Sequence, residues 1–388
     1  MSVACFDATG RMDLETAANA LSRPLNLDFK PSTAGASAPG LRERLLRAKR
    51  SFVCRHVDLS AAAGLSRTVA PQSGYVLLAT VNELGHHARL ESPEGRRAQL
   101  YPGDEILVAY GARYAPDQFE AIVPDSVGPC DLVAGGGIAA RAVARHTSVK
   151  KATAISAVGV LTDSAGAPLE LGRFVVAPRA IVGSCPHQVV AVVGTSMNAG
   201  KTTAAASLIR GLVAGGLTVG ACKITGTGSG GDIWSMRDAG AAVALDFTDV
   251  GYATTAGAEL GQLESKAHLL IDRVVAEGVD VVVVEIADGL LQRETAALLS
   301  SPRTAQRLDA VLLAAADSMG ALMGSSWLRG RRLPLRAVTG LLTSSPLATR
   351  EAQQQLDVEV VSTRALLNST EAARLCHRTP FVPLGVVS

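Results

Sequence analysis

Five apolar residues, Val189 to Val193, run into Gly194, and Gly200, Lys201, Thr202 and Thr203 open an Ala- and Leu-rich stretch behind it. No other feature constrains the fold as much. A buried strand that turns through glycine into a helix start aims backbone amides and the helix dipole at one spot, and that spot suits phosphate. Lys201 is placed to reach outer phosphates, and the Thr202 hydroxyl to ligate Mg²⁺. Five residues separate Gly194 from Gly200, one more than in the common GxxxxGK[ST] spacing. The expected cradle is Gly194, Thr195, Asn198, Ala199, Gly200, Lys201, Thr202 and Thr203, wrapped around a nucleoside triphosphate.

From Gln188 onward, apolar strands are expected at 189–193, 218–223, 281–285, 310–315, 335–342 and 358–361. Helical stretches such as 201–214 and 265–277 lie between them. Near-continuous Val/Ile/Leu strands alternating with helices imply an α/β fold, a mostly parallel sheet with helices on both faces. Two strands end in chemistry. Lys223 leads through Thr225 and Thr227 into glycines and Asp232, which makes an anion-binding rim. Glu285 ends a valine strand, where an acid beside a phosphate loop holds Mg²⁺, with Asp288 just behind it. Asp232 lies on the glycine-rich loop and Asp238 just behind it, and each reads as a helix cap. Asp246 and Asp249 are acidic but unplaced, and Asp317 to Gly320 fits DxxG at only two fixed positions.

These motifs, in this order over roughly residues 188–345, resemble dethiobiotin synthetase and its relatives in the SIMIBI class of P-loop NTPases. The resemblance implies that Lys223 and Thr227 contact substrate near the γ-phosphate, and that Lys201 joins them in catalysis. It also implies that Thr202, Asp232 and Glu285 hold Mg²⁺, with Asp238 the alternative to Asp232, and that ATP is the nucleotide. The function it implies is an ATP- and Mg²⁺-dependent ligase or kinase that activates a small carboxylate or carbamate by phosphoryl transfer. Two positions depart from the family: Ile286 stands where it has glycine, and Thr343 near where it reads adenine with asparagine. No Asn-Lys-x-Asp guanine motif is present, since Asn368 is the only asparagine after Asn198. D-glutamate N-acetyltransferases also look similar, and that likeness implies a phosphate-bearing cofactor such as coenzyme A in the loop. A third reading is a SIMIBI nucleotide switch with slow hydrolysis. Relatives often pair face to face, so a homodimer is expected.

The chain has 388 residues, enough for two domains, placed at 1–186 and 187–388. Short strands with turns between them at 73–123 suggest a small antiparallel barrel or sandwich. Ile138 to Arg145, after Gly135 to Gly137, reads as helical, and 158–161 with 173–176 as a hairpin. Helices are expected at 14–21 and 41–50, a linker at 30–40, and the domain boundary near 183–187. His86 and His87 are adjacent, would point opposite ways on a strand, and are read as surface residues. The glycine run could bind a second anion. Arg113, Tyr114 and Asp117 to Glu120 form a polar-aromatic cluster of unassigned role.

Net charge is +2 and aromatics are 4%, which argues against a nucleic-acid partner and leaves a small molecule as the expected one. Six cysteines without a CxxC pair, no leader-like N-terminus and no apolar run of membrane length give the expectation of a cytoplasmic protein with no membrane partner.

Overall fold

The five longest strands in the N-terminal half bury apolar residues on both faces, and the structure shows what covers each face. A computed structural model describes residues 40–175 and 187–376. It begins with α1 (Leu41–Arg47), β1 (Lys49–Arg50), β2 (Gly64–Ser66), β3 (Val76–Glu83), β4 (Arg89–Glu91), β5 (Arg97–Gln99) and β6 (Glu105–Tyr110). Then come β7 (Arg113–Tyr114), β8 (Phe119–Ile122), β9 (Pro129–Ala134), β10 (Ile138–Arg145) and β11 (Thr153–Thr162). Strands β6, β3, β11, β9 and β10 pair in that order, and β10 returns to β6 in parallel at Ile138 and Ala109, closing a five-stranded barrel. Along β3, Leu77, Ala79 and Val81 enter one apolar cluster. Val76 and Leu78 enter the other, with Val53, Cys54 and Ala253.

The barrel therefore reaches Thr162, well past the expected 123. Ile138 to Arg145 is a strand, not a helix: its alanines favour helix in isolation, but backbone pairing to β9, β6 and β8 decides the outcome. The hairpin expected at 158–161 and 173–176 is absent. Val160 and Leu161 pair with β2 instead, and Leu171–Phe174 is a single 3₁₀ turn. The expected helix at 14–21, the linker at 30–39 and the boundary at 183–186 lie outside the described residues.

The C-terminal half runs β12 (Gln188–Gly194), α2 (Lys201–Ala214), β13 (Val219–Lys223), α3 (Gly231–Asp238), β14 (Val243–Asp246), α4 (Leu260–Val275), β15 (Val281–Glu285) and α5 (Arg293–Ser300). It continues through α6 (Pro302–Arg307), β16 (Ala310–Ala314), α7 (Ser318–Gly330), β17 (Leu335–Thr339), α8 (Pro346–Gln355), β18 (Glu359–Val360) and α9 (Ser369–Cys376). The seven strands make a sheet ordered β14-β13-β15-β12-β16-β17-β18, and every pairing is parallel. One face packs on α4, α5 and α7, the other on α2, α3 and α9. Chain order reverses beside β12, and ligands of open parallel sheets bind at the carboxyl ends of the strands at such a point. The register puts Lys223, Glu285 and Val192 side by side at that end. Among the described residues, no helix is long and apolar enough to cross a membrane.

Candidate functional site

The turn after β12 is built around one lysine. A Cβ on Gly194 would stand 2.8 Å from Cγ and Cδ of Lys201 and 3.0 Å from its Nζ, so only glycine lets that side chain lie across the strand end. Lys201 is buried and donates from Nζ to the Ser196 carbonyl at 2.9 Å. Asn198 at φ +59° and Gly200 at φ +98° take left-handed conformations that close the turn. No side chain caps α2. Its first intrahelical bond runs from the Ala204 amide to the Gly200 carbonyl, so the amides of Lys201, Thr202 and Thr203 have no intrahelical partner. Thr195 differs from the rest of the expected cradle: its amide donates to Ala314 at 2.9 Å and serves the sheet.

The acids converge on Thr202. Its Oγ1 lies 2.9 Å from Asp232 Oδ1 and 3.3 Å from Glu285 Oε1. Lys223 Nζ forms a buried ion pair with Asp232. Burial alone would raise Asp232, but Lys223 outweighs it and holds the carboxyl below its usual range. Glu285 goes the other way: burial, then repulsion from Asp232, pushes it up to about 7. Its Oε2 is buried with no hydrogen-bond partner. Lys201 is lowered by burial, with Glu285 and Asp288 opposing. Asp288, at φ +65°, is raised by burial. A hydroxyl, an ionised carboxylate and an orphaned carboxylate oxygen within reach of one another fit Mg²⁺, a hard cation that takes oxygen donors. Among the described residues no group of three or more His, Cys, Asp or Glu could hold a metal alone. Phosphate oxygens and water would have to complete the shell, as Mg²⁺ prefers.

Other candidates fall elsewhere. Asp238 is exposed at the end of α3. Asp317 caps α7, accepting from the Gly320 amide at 2.7 Å, which accounts for the DxxG match. Thr343 donates to the Gly340 carbonyl within its own turn. The Ile286 amide donates to the Val192 carbonyl just past the end of β15, at the position where the resembled family has glycine. Thr227 lines the cavity and bridges to Thr254.

The cavity, of about 600 Å³, lies between the loop and the barrel. Its barrel wall includes His87, Arg113 and Gln118. His87 is therefore no surface residue; burial, reinforced by Arg113, pushes it down to about 3, so the ring is neutral. At the loop tip, Asn198 donates to Asp117 Oδ2 at 2.8 Å. The glycine run is no anion site either: a Cβ on Gly136 would overlap the Gly228 carbonyl oxygen, so two glycine loops pack backbone to backbone.

The N-terminal half grips the segment that carries Asp232, through the β4–β5 hairpin and the turn after β1 rather than the barrel strands themselves. Glu91 accepts from Ser229 Oγ at 2.9 Å and from the Gly230 amide at 3.1 Å. Arg55 Nη2 donates to Asp249 Oδ1 at 2.6 Å and to Asp246 Oδ1 at 3.3 Å, so those two acids are interface anchors. Phe52 meets Trp234 edge-on at 6.4 Å. Sequence reading missed Glu91 and Arg55; the only hint was the glycine density at 135–137 and 226–231.

No family model and no curated protein matches the chain. Among solved structures it is similar to the signal recognition particle receptor FtsY from Elizabethkingia anophelis, at 20% identity over 50% of this chain and 66% of that one, TM-score 0.35. It is also similar to the signal recognition particle 54 kDa protein of Aeropyrum pernix K1 in complex with GDP, at 18% over 50% and 47%, TM-score 0.35. A ParA family ATPase from Chlorobium tepidum TLS matches at 11% over 49% and 91%, TM-score 0.30. The chain thus spans less than two thirds of the FtsY receptor and under half of the 54 kDa protein. The reading as an ATP- and Mg²⁺-dependent ligase or kinase of dethiobiotin-synthetase type is corrected. The similar structures are signal recognition particle proteins and a ParA family ATPase, and Lys223, which that chemistry needs facing substrate, is bound to Asp232. ATP has no support over another nucleotide, since Thr343, near the place of the adenine-reading asparagine, is bound within its own turn. From β12 onward the chain has an α/β fold, a wholly parallel seven-stranded sheet with helices on both faces.

Proposed function

We propose that the chain is a Mg²⁺-dependent nucleoside triphosphatase that works as a nucleotide switch, with the barrel as the element that responds. One observation carries this reading. Asp232, beside Thr202 and Glu285, opens a helix entered through Ser229 and Gly230, and Glu91 of the β4–β5 hairpin beside the barrel holds both. Thr202, Asp232 and Glu285 would hold Mg²⁺, which would neutralise phosphate charge there. Lys201 and the first amides of α2 bind and orient the phosphates. Lys223 keeps Asp232 ionised. A shift of Asp232 between triphosphate and diphosphate is passed through α3 to Glu91 and through Trp234 to Phe52.

Thermal unfolding with GTP, ATP, the two diphosphates and coenzyme A, each with and without Mg²⁺, tests this together with phosphate release. Expected are stabilisation by a Mg²⁺·triphosphate, slow phosphate release, and a Trp234 fluorescence difference between tri- and diphosphate. Stabilisation by coenzyme A alone, independent of Mg²⁺, would overturn the reading.

The raised Glu285 predicts a pH dependence with a definite sign. A carboxyl lifted in the folded, ligand-free state favours its protonated form, so its contribution to stability is present at acid pH and is lost as pH rises through about 7. Mg²⁺ needs the ionised form, so binding must displace that proton. Affinity for Mg²⁺·triphosphate should rise about tenfold between roughly pH 6 and 8, then level off. Glu285→Gln should flatten the profile, as titration calorimetry at several pH values would show.

A further inference from the structure

Arg113 is the buried cation of the cavity that the nucleotide reading does not use; Arg89 and Arg97, also in its lining, are exposed. It is 8% exposed, and its guanidinium faces the cavity from β7. Its hydrogen bonds all go to neutral acceptors: Nη1 is 3.0 Å from His87 Nε2, and Nη2 is 2.8 Å from Gln118 Oε1. Because the guanidinium is always a donor, His87 Nε2 accepts, and the ring proton sits on Nδ1, beside the Val133 carbonyl. Nε has no partner. Phe119 presents its ring 6.0 Å away. Asp117 and Asp288 are the nearest acids that act on it. Among the described residues neither forms an ion pair with it, and Asp117 is turned to Asn198.

A buried guanidinium without a counter-ion is unfavourable in a ligand-free protein. Here it is held in place by two side chains that do not neutralise it. That combination orients a charge for an anion supplied from outside. Arg89 and Arg97 line the cavity from β4 and β5, and Glu91, the acid beside them, is occupied with Ser229 and Gly230 and does not compete.

We propose that Arg113 anchors an oxyanion subsite in the barrel wall of the cavity, opposite the phosphate loop, and that His87 and Gln118 act as its positioning residues. The ligand group is a carboxylate or phosphate that meets the planar fork of the guanidinium. It belongs either to the outer phosphate of the nucleotide or to a separate small anion bound beside it. The second case extends the nucleotide-switch reading to a second input, and the first assigns the barrel a direct contact with the triphosphate.

Calorimetric titration of the full chain separates the two sources. The probes are Mg²⁺·triphosphate, Mg²⁺·diphosphate, inorganic phosphate and succinate, applied to the natural chain, Arg113→Gln and Arg113→Lys. If the anion is the outer phosphate, Arg113→Gln weakens triphosphate tenfold or more and leaves diphosphate unchanged. If it is a separate ligand, the same variant weakens phosphate or succinate by that factor and leaves both nucleotides unchanged. Arg113→Lys recovers part of the loss in either case. The ligand-free Arg113→Gln chain is expected to melt at the same temperature as the natural chain or higher, which a merely structural arginine would not allow. Unchanged affinity for all four probes overturns the assignment, as do equal losses for all four. If Arg113→Gln does not fold, His87→Ala and Gln118→Ala free the guanidinium without removing its charge. Each should weaken the same probe several-fold, and no change in either overturns the proposal. Phosphate and succinate decide the subsite even if no nucleotide binds.

Discussion

Replacing Lys201 by alanine should lower affinity for Mg²⁺·nucleotide about 100-fold or more, roughly 3 kcal/mol, and leave the chain folded. The effect is large because the ammonium is out of water before the ligand arrives. Burial already depresses its pKa, and its one hydrogen bond goes to a carbonyl of its own loop. Charge–charge attraction at such a site is much less screened than at the surface. The cradle's other donors are backbone amides, which no side-chain substitution removes. Gly194→Ala is the geometric control. It adds a methyl group 2.8 Å from the lysine's Cγ and Cδ, so the ammonium is displaced without being deleted, and most of the same loss is expected. Calorimetric titration of both variants, with circular dichroism to confirm folding, decides the matter. Natural affinity in Lys201→Ala would mean that the loop does not cradle phosphate.

The phosphate side of this site was legible because its parts lie at strand ends in one continuous pattern. A valine run that meets glycine, and a valine run that ends in Glu285, each announce a buried strand and its carboxyl edge, and parallel pairing brings the edges together. What the sequence could not show was the pairing of those side chains. Lys223 reads as a free cation facing a ligand, but Asp232 turns back onto it. The barrel wall was hidden for a different reason. Arg55 and Asp249 are 194 residues apart, and Glu91 and Gly230 are 139 apart; no local period encodes such contacts. Strand β10 misleads in the opposite direction. Its alanines read as helix formers, yet Ala139 and Ala140 are fully buried in the barrel region. Function was the least legible of all, since a phosphate cradle is compatible with many chemistries.

Arg55→Ala should destabilise the chain by about 3–5 kcal/mol, the range for stranding a buried charge. Arg55 is the guanidinium shared by Asp246 and Asp249, whose side chains are 0% and 6% exposed. Burial raises Asp246 even with Arg55 present. Asp249 stays below its usual range because its hydrogen bond from His56 and its attraction to Arg55 outweigh burial. In the natural chain Asp249 therefore contributes stability that is lost as pH falls, and Asp246 the reverse. Without Arg55 both carboxyls shift upward. Stability of the variant should then be greatest at acid pH and fall as pH rises, so its deficit against the natural chain widens toward neutral. Adding Asp246→Asn to Arg55→Ala should recover part of the deficit, because the neutral amide removes one of the two stranded charges. Denaturant unfolding at several pH values measures both effects. The same contact bears on the switch. Arg55 pins the stretch that follows α3, so the variant, where still folded, should bind triphosphate but show a smaller Trp234 response to it. A loss under about 1 kcal/mol, or a deficit that does not vary with pH, would mean that water reaches these carboxylates and that the two halves are held by the Glu91 hydrogen bonds, the Phe52–Trp234 contact and glycine packing.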